Sequence, residues 1–385
     1  MGADKAVLGQ MVVDFSGWMV FSLAAFFVAI LVIVFVHEFG HYIVGRWCGV
    51  NVEAFSVGFG KELFGFADKH GTRWKFCAIP LGGYVKFEGD ANAASQPSND
   101  EMTHTATSLH AQPLWQRAAI VAAGPLANFL MAIVIFTGIY WTMGMPYVPA
   151  EVKGLVEGGA AQLAGLKTED VIVKIDGNAV YSFEDISRYV RLRTGDPLEV
   201  IVDRQGAPIT FTIVPKAMQF EDGLGGQVTA GGLGVSYKST DGKVHIKELG
   251  LGGAFAEAVW QTKNQVVMFG QTIKAIIFGK QSTKEFGGAL TIARMAGTTA
   301  SYGPTVFINF IAFLSISIGL INLFPVPILD GGHLVFFAIE GVMGKPLEQK
   351  AQEWSFRIGF ALIMALIAFV QINDVTRYFG LNFGT

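Results

Sequence analysis

The chain has 385 residues, of which 51% are hydrophobic and 15% charged, and its mean hydropathy is +0.44. Soluble proteins carry about a quarter charged residues, so the composition indicates a membrane protein with a polar portion. The net charge is only -3 and no cluster of Lys and Arg occurs, which excludes nucleic acid as an expected partner.

Four apolar stretches are long enough, or nearly so, to cross a bilayer core of about 30 Å. They are residues 18–36, 118–143, 304–328 and 358–372. The first stretch lacks the basic flank and the cleavage site of a signal peptide. We therefore predict four transmembrane helices.

Basic residues are concentrated in the loop between the first two spans and in the loop between the last two. The positive-inside rule predicts that both loops are cytoplasmic, so both termini and the long loop 145–303 lie outside. Cys48 and Cys77 then fall on the cytoplasmic side, where a disulfide is not expected.

A metal-ligand pattern follows the first span, in "FVHEFGHYIVGR", residues 35–46. His37 and His41 are four residues apart, so on a helix both can reach one metal ion. Glu38 stands beside them, where a base could take a proton from a metal-bound water. A helix end that only extends polar groups towards lipid headgroups is the alternative, but ionisable groups at membrane depth are costly and usually functional.

The third ligand is expected near the end of the third span, because catalytic zinc uses three protein ligands and one open position. In "INLFPVPILDGGHLVFF" Asp330 follows an apolar run, and this span runs in the same direction as the first. Asp330 therefore lies at the depth of the two histidines. The Pro-x-Pro break and the Gly pair indicate backbone held open near a site. His333 is an alternative ligand.

Two asparagines in the spans have more than one interpretation. Asn322 could hydrogen-bond between helices, or donate to a developing oxyanion or to the substrate backbone. Asn128, in "AAGPLANF" with Gly124, is predicted to support helix packing rather than to take part directly in catalysis.

With both motifs in place, the chain resembles the site-2 protease family of intramembrane zinc metalloproteases, in its bacterial sigma-E-regulating branch. The resemblance covers nearly the whole chain, including "HEFGHYIVGRWCGV", "PLGGYVKFEGD" and "NLFPVPILDGGHLVFFAIE". It implies one Zn²⁺ per chain bound by His37, His41 and Asp330, with Glu38 as general base. It also favours a catalytic role for Asn322 in contact with substrate or transition state, and a multi-pass protein of the bacterial inner membrane.

The same resemblance implies a substrate class. It is the second cut of regulated intramembrane proteolysis, made in single-pass membrane proteins such as anti-sigma factors or remnant signal peptides. An upstream site-1 protease would first shorten the outer part of the same substrate. The expected partners are therefore transmembrane substrates and the lipid bilayer.

Residues 50–90 alternate in a strand-like pattern with Gly turns, which predicts a cytoplasmic β-hairpin. The hairpin could simply pack under the helices. The resemblance instead favours a membrane-associated β-loop, to which an unwound substrate adds as an extra strand. The residues expected to contact substrate are Gly82, Gly83, Tyr84, Val85 and Lys86.

Residues 145–240 are predicted to form one compact α/β module that resembles a PDZ domain, where the enteric type of this branch has two. Val171, Val173 and Ile175 are expected on one inner face of a strand, and a hairpin is expected about Gly206.

The segment "GGLGV" looks like the carboxylate-binding loop of the predicted PDZ module. A size filter that excludes large substrates is an equally open role. The residues expected to bind substrate in this loop are Gly232, Leu233 and Gly234.

The predicted fold is thus a polytopic α-helical membrane protein with four transmembrane helices, a cytoplasmic membrane-associated β-hairpin and one extracytoplasmic PDZ domain. The expected segments are the first transmembrane helix with the zinc motif (1–49), the β-loop (50–90), a cytoplasmic connector (91–117), the second transmembrane helix (118–144), the PDZ domain (145–240), an amphipathic surface helix with a linker (241–303), the third transmembrane helix with the Asp ligand (304–333), a cytoplasmic loop (334–357), and the fourth transmembrane helix with the tail (358–385).

Two other functions remain open from sequence. A membrane PDZ scaffold with a structural zinc would normally need four protein ligands, and three are found. A zinc transporter would need a second polar path across the other spans.

Overall fold

The computed structural model describes residues 2–90, 105–221, 227–236, 245–278 and 287–379. Parts of the predicted connector, PDZ domain, linker and tail lie outside these residues. The chain divides into two compact units. One unit combines Met1–Ile139 with Leu251–Thr385, and the other is Tyr140–Gly250.

The helices of the described residues are, in chain order, α1 (Gly2–Trp47), α2 (Leu114–Met143), α3 (Ala160–Leu163), α4 (Phe183–Val190), α5 (Leu251–Ile277), α6 (Ala289–Ser301), α7 (Pro304–Asn322), α8 (Asp330–Met343) and α9 (Gln349–Phe379). The strands are β1 (Val52–Ala67), β2 (Arg73–Phe87), β3 (Met145–Tyr147), β4 (Gly154–Leu155), β5 (Val171–Ile175), β6 (Asn178–Ala179), β7 (Leu198–Arg204), β8 (Ala207–Ile213), β9 (Lys216–Glu221), β10 (Gln227–Gly232), β11 (Val235–Ser236) and β12 (His245–Lys247).

Within the described residues, four helices are long and apolar enough to cross a membrane. They are Gly17–Trp47, Leu114–Met143, Pro304–Asn322 and Lys350–Thr376, which confirms the number of predicted spans.

The third of these helices ends before the predicted residue 328. Helix α7 stops at Asn322 because Pro325 and Pro327 follow, and a proline has no backbone N–H with which to continue the helix. A short turn comes next, closed by the N–H of Leu329 donating to the carbonyl of Val326 at 2.8 Å. Helix α8 then starts at the predicted ligand Asp330.

Small residues bring the long helices close together, as is common inside membranes. A Cβ atom added to Gly40 of α1 would lie 2.4 Å from the carbonyl oxygen of Ala123 in α2. A Cβ added to Gly319 of α7 would lie 3.2 Å from the carbonyl oxygen of Pro125, also in α2. Helix α2 is therefore held against both α1 and α7.

The predicted hairpin forms from β1 and β2, and its strands bend sharply. Gly58 and Gly60 in β1 have φ angles of +89° and +85°, a region that glycine adopts at little cost. Because of this bend, residues 54–57 pair with residues 83–86 on one side and with residues 73–76 on the other. In the described part of this sheet, residues 83–86 form an outer strand.

The unit Tyr140–Gly250 has a core of β5, β7 and β8 packed with α4. Its largest sheet has the order β6-β5-β7-β8. The predicted hairpin is β7–β8, which turns through Gln205 and Gly206 with φ angles of +54° and +85°. Two adjacent residues with positive φ are typical of the type I′ turn that suits a two-residue hairpin.

The predicted inner face of β5 was wrong for Val171. Val171 is 38% exposed, whereas Ile172 and Ile175 are fully buried. The pairing of β5 with β7 shifts register between Ile172 and Lys174. This extra residue breaks the two-residue alternation on which the prediction depended.

The predicted amphipathic helix corresponds to α5. It buries Ala254, Ala258 and Thr262, which are four residues apart, and exposes Phe255 and Val259. Small residues let α5 pack against α7, so the larger apolar side chains point away from the protein.

Helix α6 was not predicted from the sequence. It packs against α1, α7 and α9, and its N-terminus is held by the carboxylate of Asp374, which accepts from the backbone N–H of Thr291 at 3.0 Å.

Candidate metal centre

The structure brings His37, His41 and Asp330 together. The histidines lie one turn apart on α1, and each is 8% exposed. Their Nε2 atoms are 3.3 Å apart. Asp330, in the first turn of α8, places Oδ2 3.1 Å from Nε2 of His37 and Oδ1 3.5 Å from Nε2 of His41. One ligand atom from each residue lies within 4.8 Å of the other two.

These distances fit a zinc site. Zinc bonds of about 2.0–2.1 Å at tetrahedral angles separate neighbouring ligand atoms by about 3.3 Å. The two Nε2 atoms have this separation, and each of them lies at a similar distance from one oxygen of the Asp330 carboxylate. Oδ2 of Asp330 is also buried without a hydrogen-bond partner among the described residues. Two imidazole nitrogens and one carboxylate oxygen are typical ligands of catalytic zinc.

Helix α2 contacts the far side of both imidazoles. Nδ1 of His41 lies 2.9 Å from the carbonyl oxygen of Ile120. Donation of an Nδ1 proton to this oxygen leaves the lone pair on Nε2, where a metal can use it. Nδ1 of His37 lies 3.2 Å from Nδ2 of Asn128.

Glu38 lies beside the metal group in a cavity of about 280 Å³. Strand β2 approaches it closely, since a Cβ added to Gly83 would lie 3.1 Å from Cγ of Glu38. Val85, on the same strand, lines the same cavity as Glu38. Glu38 is therefore fixed between the metal group and the outer strand of the hairpin.

The cavity gathers most of the other predicted site residues. Its walls include Gly82, Gly83, Tyr84, Val85 and Asn322. Lys86 is not among the residues that line this cavity. Its Nζ pairs with Oε2 of Glu53 at 2.6 Å.

His333, the alternative ligand, also lines the cavity. Its ring packs against Phe336 and Phe356, and His333 is not part of the group that could hold a metal.

Gly232, Leu233 and Gly234 lie in the other unit, at the end of β10 and in the short loop that connects it to β11. Leu233 is 3% exposed and belongs to that unit's core. Its carbonyl oxygen accepts from the N–H of Ala161, and that of Gly234 accepts from the N–H of Val156. These bonds fix the loop against the start of α3.

Sequence reasoning assigned Gly124 and Asn128 to helix packing and missed their contact with the metal group. Both lie against the imidazoles of α1. The available signal was their spacing. They are four residues apart in an apolar span, as are the two histidines, so each pair occupies one helix face.

Four membrane-length helices and a buried group of two imidazoles and a carboxylate, with a glutamate beside it, define a membrane-embedded metallopeptidase. Comparison with known proteins agrees with this class.

The model of peptidase family M50 matches residues 25–366. "Putative zinc metalloprotease Atu1380" of Agrobacterium fabrum is 44% identical over 373 residues, which cover 95% of this chain and 98% of that protein. "Metalloprotease MmpA" of Caulobacter vibrioides is 36% identical over 389 residues, covering 94% and 97%. The chain therefore belongs to peptidase family M50, the site-2 protease family. It is a zinc-dependent peptidase, which leaves the scaffold and transporter alternatives without support.

Proposed function

We propose that this peptidase is an intramembrane endopeptidase that cuts single-pass membrane proteins, such as anti-sigma factors or remnant signal peptides, after a site-1 protease has shortened them. The observation that carries the proposal is the position of the metal group. His37 and His41 lie within a membrane-length helix, and Asp330 follows the end of another. The substrate class follows from the family resemblance.

In this function His37, His41 and Asp330 hold one zinc ion. When bound, zinc polarises the scissile carbonyl and lowers the pKa of a water molecule to about 7. The Glu38 carboxylate takes the proton of the attacking water and delivers it to the leaving amine nitrogen as the peptide C–N bond breaks. The Asn322 amide, on the wall of the same cavity, donates a hydrogen bond to the developing oxyanion or to the substrate backbone.

In this function the β-hairpin binds the substrate in an extended conformation. A helical peptide has its carbonyls hydrogen-bonded within the helix, so water reaches them poorly. Residues 83–86 form an outer strand beside Glu38, and an unwound substrate pairing with it would expose one carbonyl while satisfying other backbone groups. Exposed apolar side chains elsewhere in the hairpin, such as Leu63 and Phe64, at 70% and 63%, favour contact with lipid.

We further propose the topology and domain limits set out from the sequence, in a bacterial inner membrane. Both termini and the unit Tyr140–Gly250 are periplasmic, and the hairpin is cytoplasmic. That unit acts as a PDZ domain, with residues 232–234 binding a substrate C-terminus or the whole unit excluding larger substrates. The exposed Phe255 and Val259 of α5 would rest on the outer membrane surface.

Substitution Glu38→Gln tests the chemistry. In proteoliposomes with a single-span test substrate, it should abolish cleavage while zinc content stays near one ion per chain. Glu348→Gln, at an exposed position between α8 and α9, is the matched control and should cleave normally. Unchanged cleavage by the Glu38→Gln protein would refute the proposed mechanism.

A further inference from the structure

We infer that Asn128 is a positioning residue for the metal centre. Its side-chain oxygen accepts the Nδ1 proton of His37 and thereby presents the Nε2 lone pair of that ring to the metal. This inference rests on the proposed role of His37 as a ligand.

Asn128 is a buried polar residue whose side-chain oxygen lacks a hydrogen bond. It lies in the middle of α2 and is fully buried. Its Nδ2 is 3.2 Å from Nδ1 of His37, while its Oδ1 has no hydrogen-bond partner. An unpaired amide oxygen in such an apolar setting costs free energy, so this oxygen is expected to have a use.

The Nδ1 proton of His37 is the hydrogen-bond donor that this oxygen can accept from. A neutral imidazole carries one proton, and a ring that binds a metal through Nε2 must carry it on Nδ1. Nδ1–H needs an acceptor, and the Nδ2 group of an asparagine can only donate. Turning the carboxamide half a revolution about its Cβ–Cγ bond exchanges the two ends. Oδ1 of Asn128 then accepts a hydrogen bond from Nδ1–H of His37. This single bond gives the oxygen a donor and gives the imidazole proton an acceptor.

The other histidine shows the same arrangement with a backbone acceptor. Nδ1 of His41 faces the carbonyl oxygen of Ile120, also in α2. Helix α2 thus orients both ligand rings, one through its main chain and one through the side chain of Asn128. Of these two acceptors, only the one from Asn128 can be removed by substitution.

Helix α7 packs against α2 at the level of Asn128. Oγ of Ser315 donates to the carbonyl oxygen of Asn128 at 3.0 Å. A Cβ added to Gly319 would lie 3.2 Å from Cβ of Asn128, so the two helices touch at this level. The hydrogen bond of Ser315 goes to the backbone of Asn128 and not to its side-chain carboxamide. Ser315 is therefore a suitable structural control.

The test compares variants of the intact chain in detergent. Asn128→Leu keeps the size and removes both polar ends, whereas Asn128→Asp keeps an acceptor oxygen. Zinc affinity is measured by competition with a chelator, and the absorption spectrum of the Co²⁺-loaded protein reports ligand geometry. We expect Asn128→Leu to weaken zinc binding about 10- to 100-fold and to alter the Co²⁺ spectrum. Asn128→Asp should stay near the wild type in both, and Ser315→Ala should bind zinc normally.

The inference is overturned if Asn128→Leu binds zinc like the wild type, or if Asn128→Asp loses as much affinity as Asn128→Leu. If Asn128→Leu does not fold, the smaller Asn128→Val takes its place in the same comparison. His37→Ala distinguishes a failure of the metal site from a failure of the Asn128 role. Zinc retained by His37→Ala refutes the proposed site itself, whereas zinc lost there but kept by Asn128→Leu refutes only the role of Asn128.

Discussion

Gly124 of α2 lies directly against the imidazole of His41. A Cβ atom built on Gly124 would be 2.2 Å from Nε2 and 2.5 Å from Cε1 of that ring. Gly124 therefore leaves the space into which the His41 ring fits, at the atom that faces Asp330. Gly124 and Asn128 on α2 thus face His41 and His37 on α1, pair against pair.

Gly124→Ala should displace the His41 ring and disable the centre. The contact involves the metal-binding edge of the ring, so the ring must move, and a displacement near 1 Å can cost about 100-fold in rate. The measurement is the initial cleavage rate of a single-span substrate, together with zinc affinity.

Gly138→Ala is the control for that change, because the same substitution is made on the same helix. Among the described residues, a Cβ there meets no atom within 4 Å beyond its own stretch of helix, so cleavage and zinc binding should stay unchanged. Equal activity of the Gly124→Ala and Gly138→Ala proteins would show that Gly124 does not shape the site.

An ion pair connects α2 with α8, the helix that begins with Asp330. Arg117 donates from Nη1 and Nη2 to the two carboxylate oxygens of Glu340, at 3.0 and 2.5 Å, and the side chains are only 13% and 17% exposed. Arg117→Met should lower the free energy of unfolding by up to about 3 kcal/mol, because it leaves a largely buried carboxylate unpaired.

The double variant Arg117→Met, Glu340→Met should recover much of that stability, since it removes both charges together. Thermal unfolding of the detergent-solubilised chain measures both effects. A double variant as unstable as Arg117→Met would contradict the ion-pair explanation.

Asp170 should make the stability of the unit Tyr140–Gly250 depend on pH. The hydrogen bonds from Arg204 lower the pKa of the Asp170 carboxyl below its ordinary value. A lowered folded-state pKa stabilises the fold fully above the unfolded pKa of about 3.9, and this stabilisation is lost as pH falls through the folded-state value.

Hydrogen exchange of the β5 and β7 amides in the intact chain, corrected for intrinsic rates, measures this dependence. Protection in the wild type should fall below a pH of about 4, where the unfolded chain takes up the proton more readily than the folded one. Asn at position 170 cannot ionise, so Asp170→Asn should remove this part of the decline. An identical pH profile for the two proteins would exclude the Asp170 carboxyl as its source.

The long helices could be anticipated from sequence because their signal is local. About twenty apolar residues identify a span wherever it packs, and the four-residue spacing of His37 and His41 fixes one helix face. The proximity of Asp330 to the two histidines could also be predicted. The first and third of four successive spans run in the same direction, so the ends that carry these residues lie at the same depth. The separation of residues 41 and 330 in sequence did not matter.

Other features depend on contacts that sequence patterns do not show. The bulge in β5 arises from its register with β7, so the alternation at Val171 was misleading. Helix α6 has a modest apolar face and is held by α1, α7 and α9. The sequence predicted an amphipathic surface helix at α5, but it did not show that the small Ala254 and Ala258 would be the residues buried against a neighbour.

The central claim is that His37, His41 and Asp330 bind one zinc ion together, and zinc content tests it most directly. The purified full-length chain should contain about one zinc per molecule by elemental analysis, because three protein ligands around one open position hold a single ion. Asp330→Ala and His41→Ala should each lose it, while Glu38→Gln and His333→Ala should retain it. An Asp330→Ala protein that binds zinc with full stoichiometry and unchanged affinity would contradict the account.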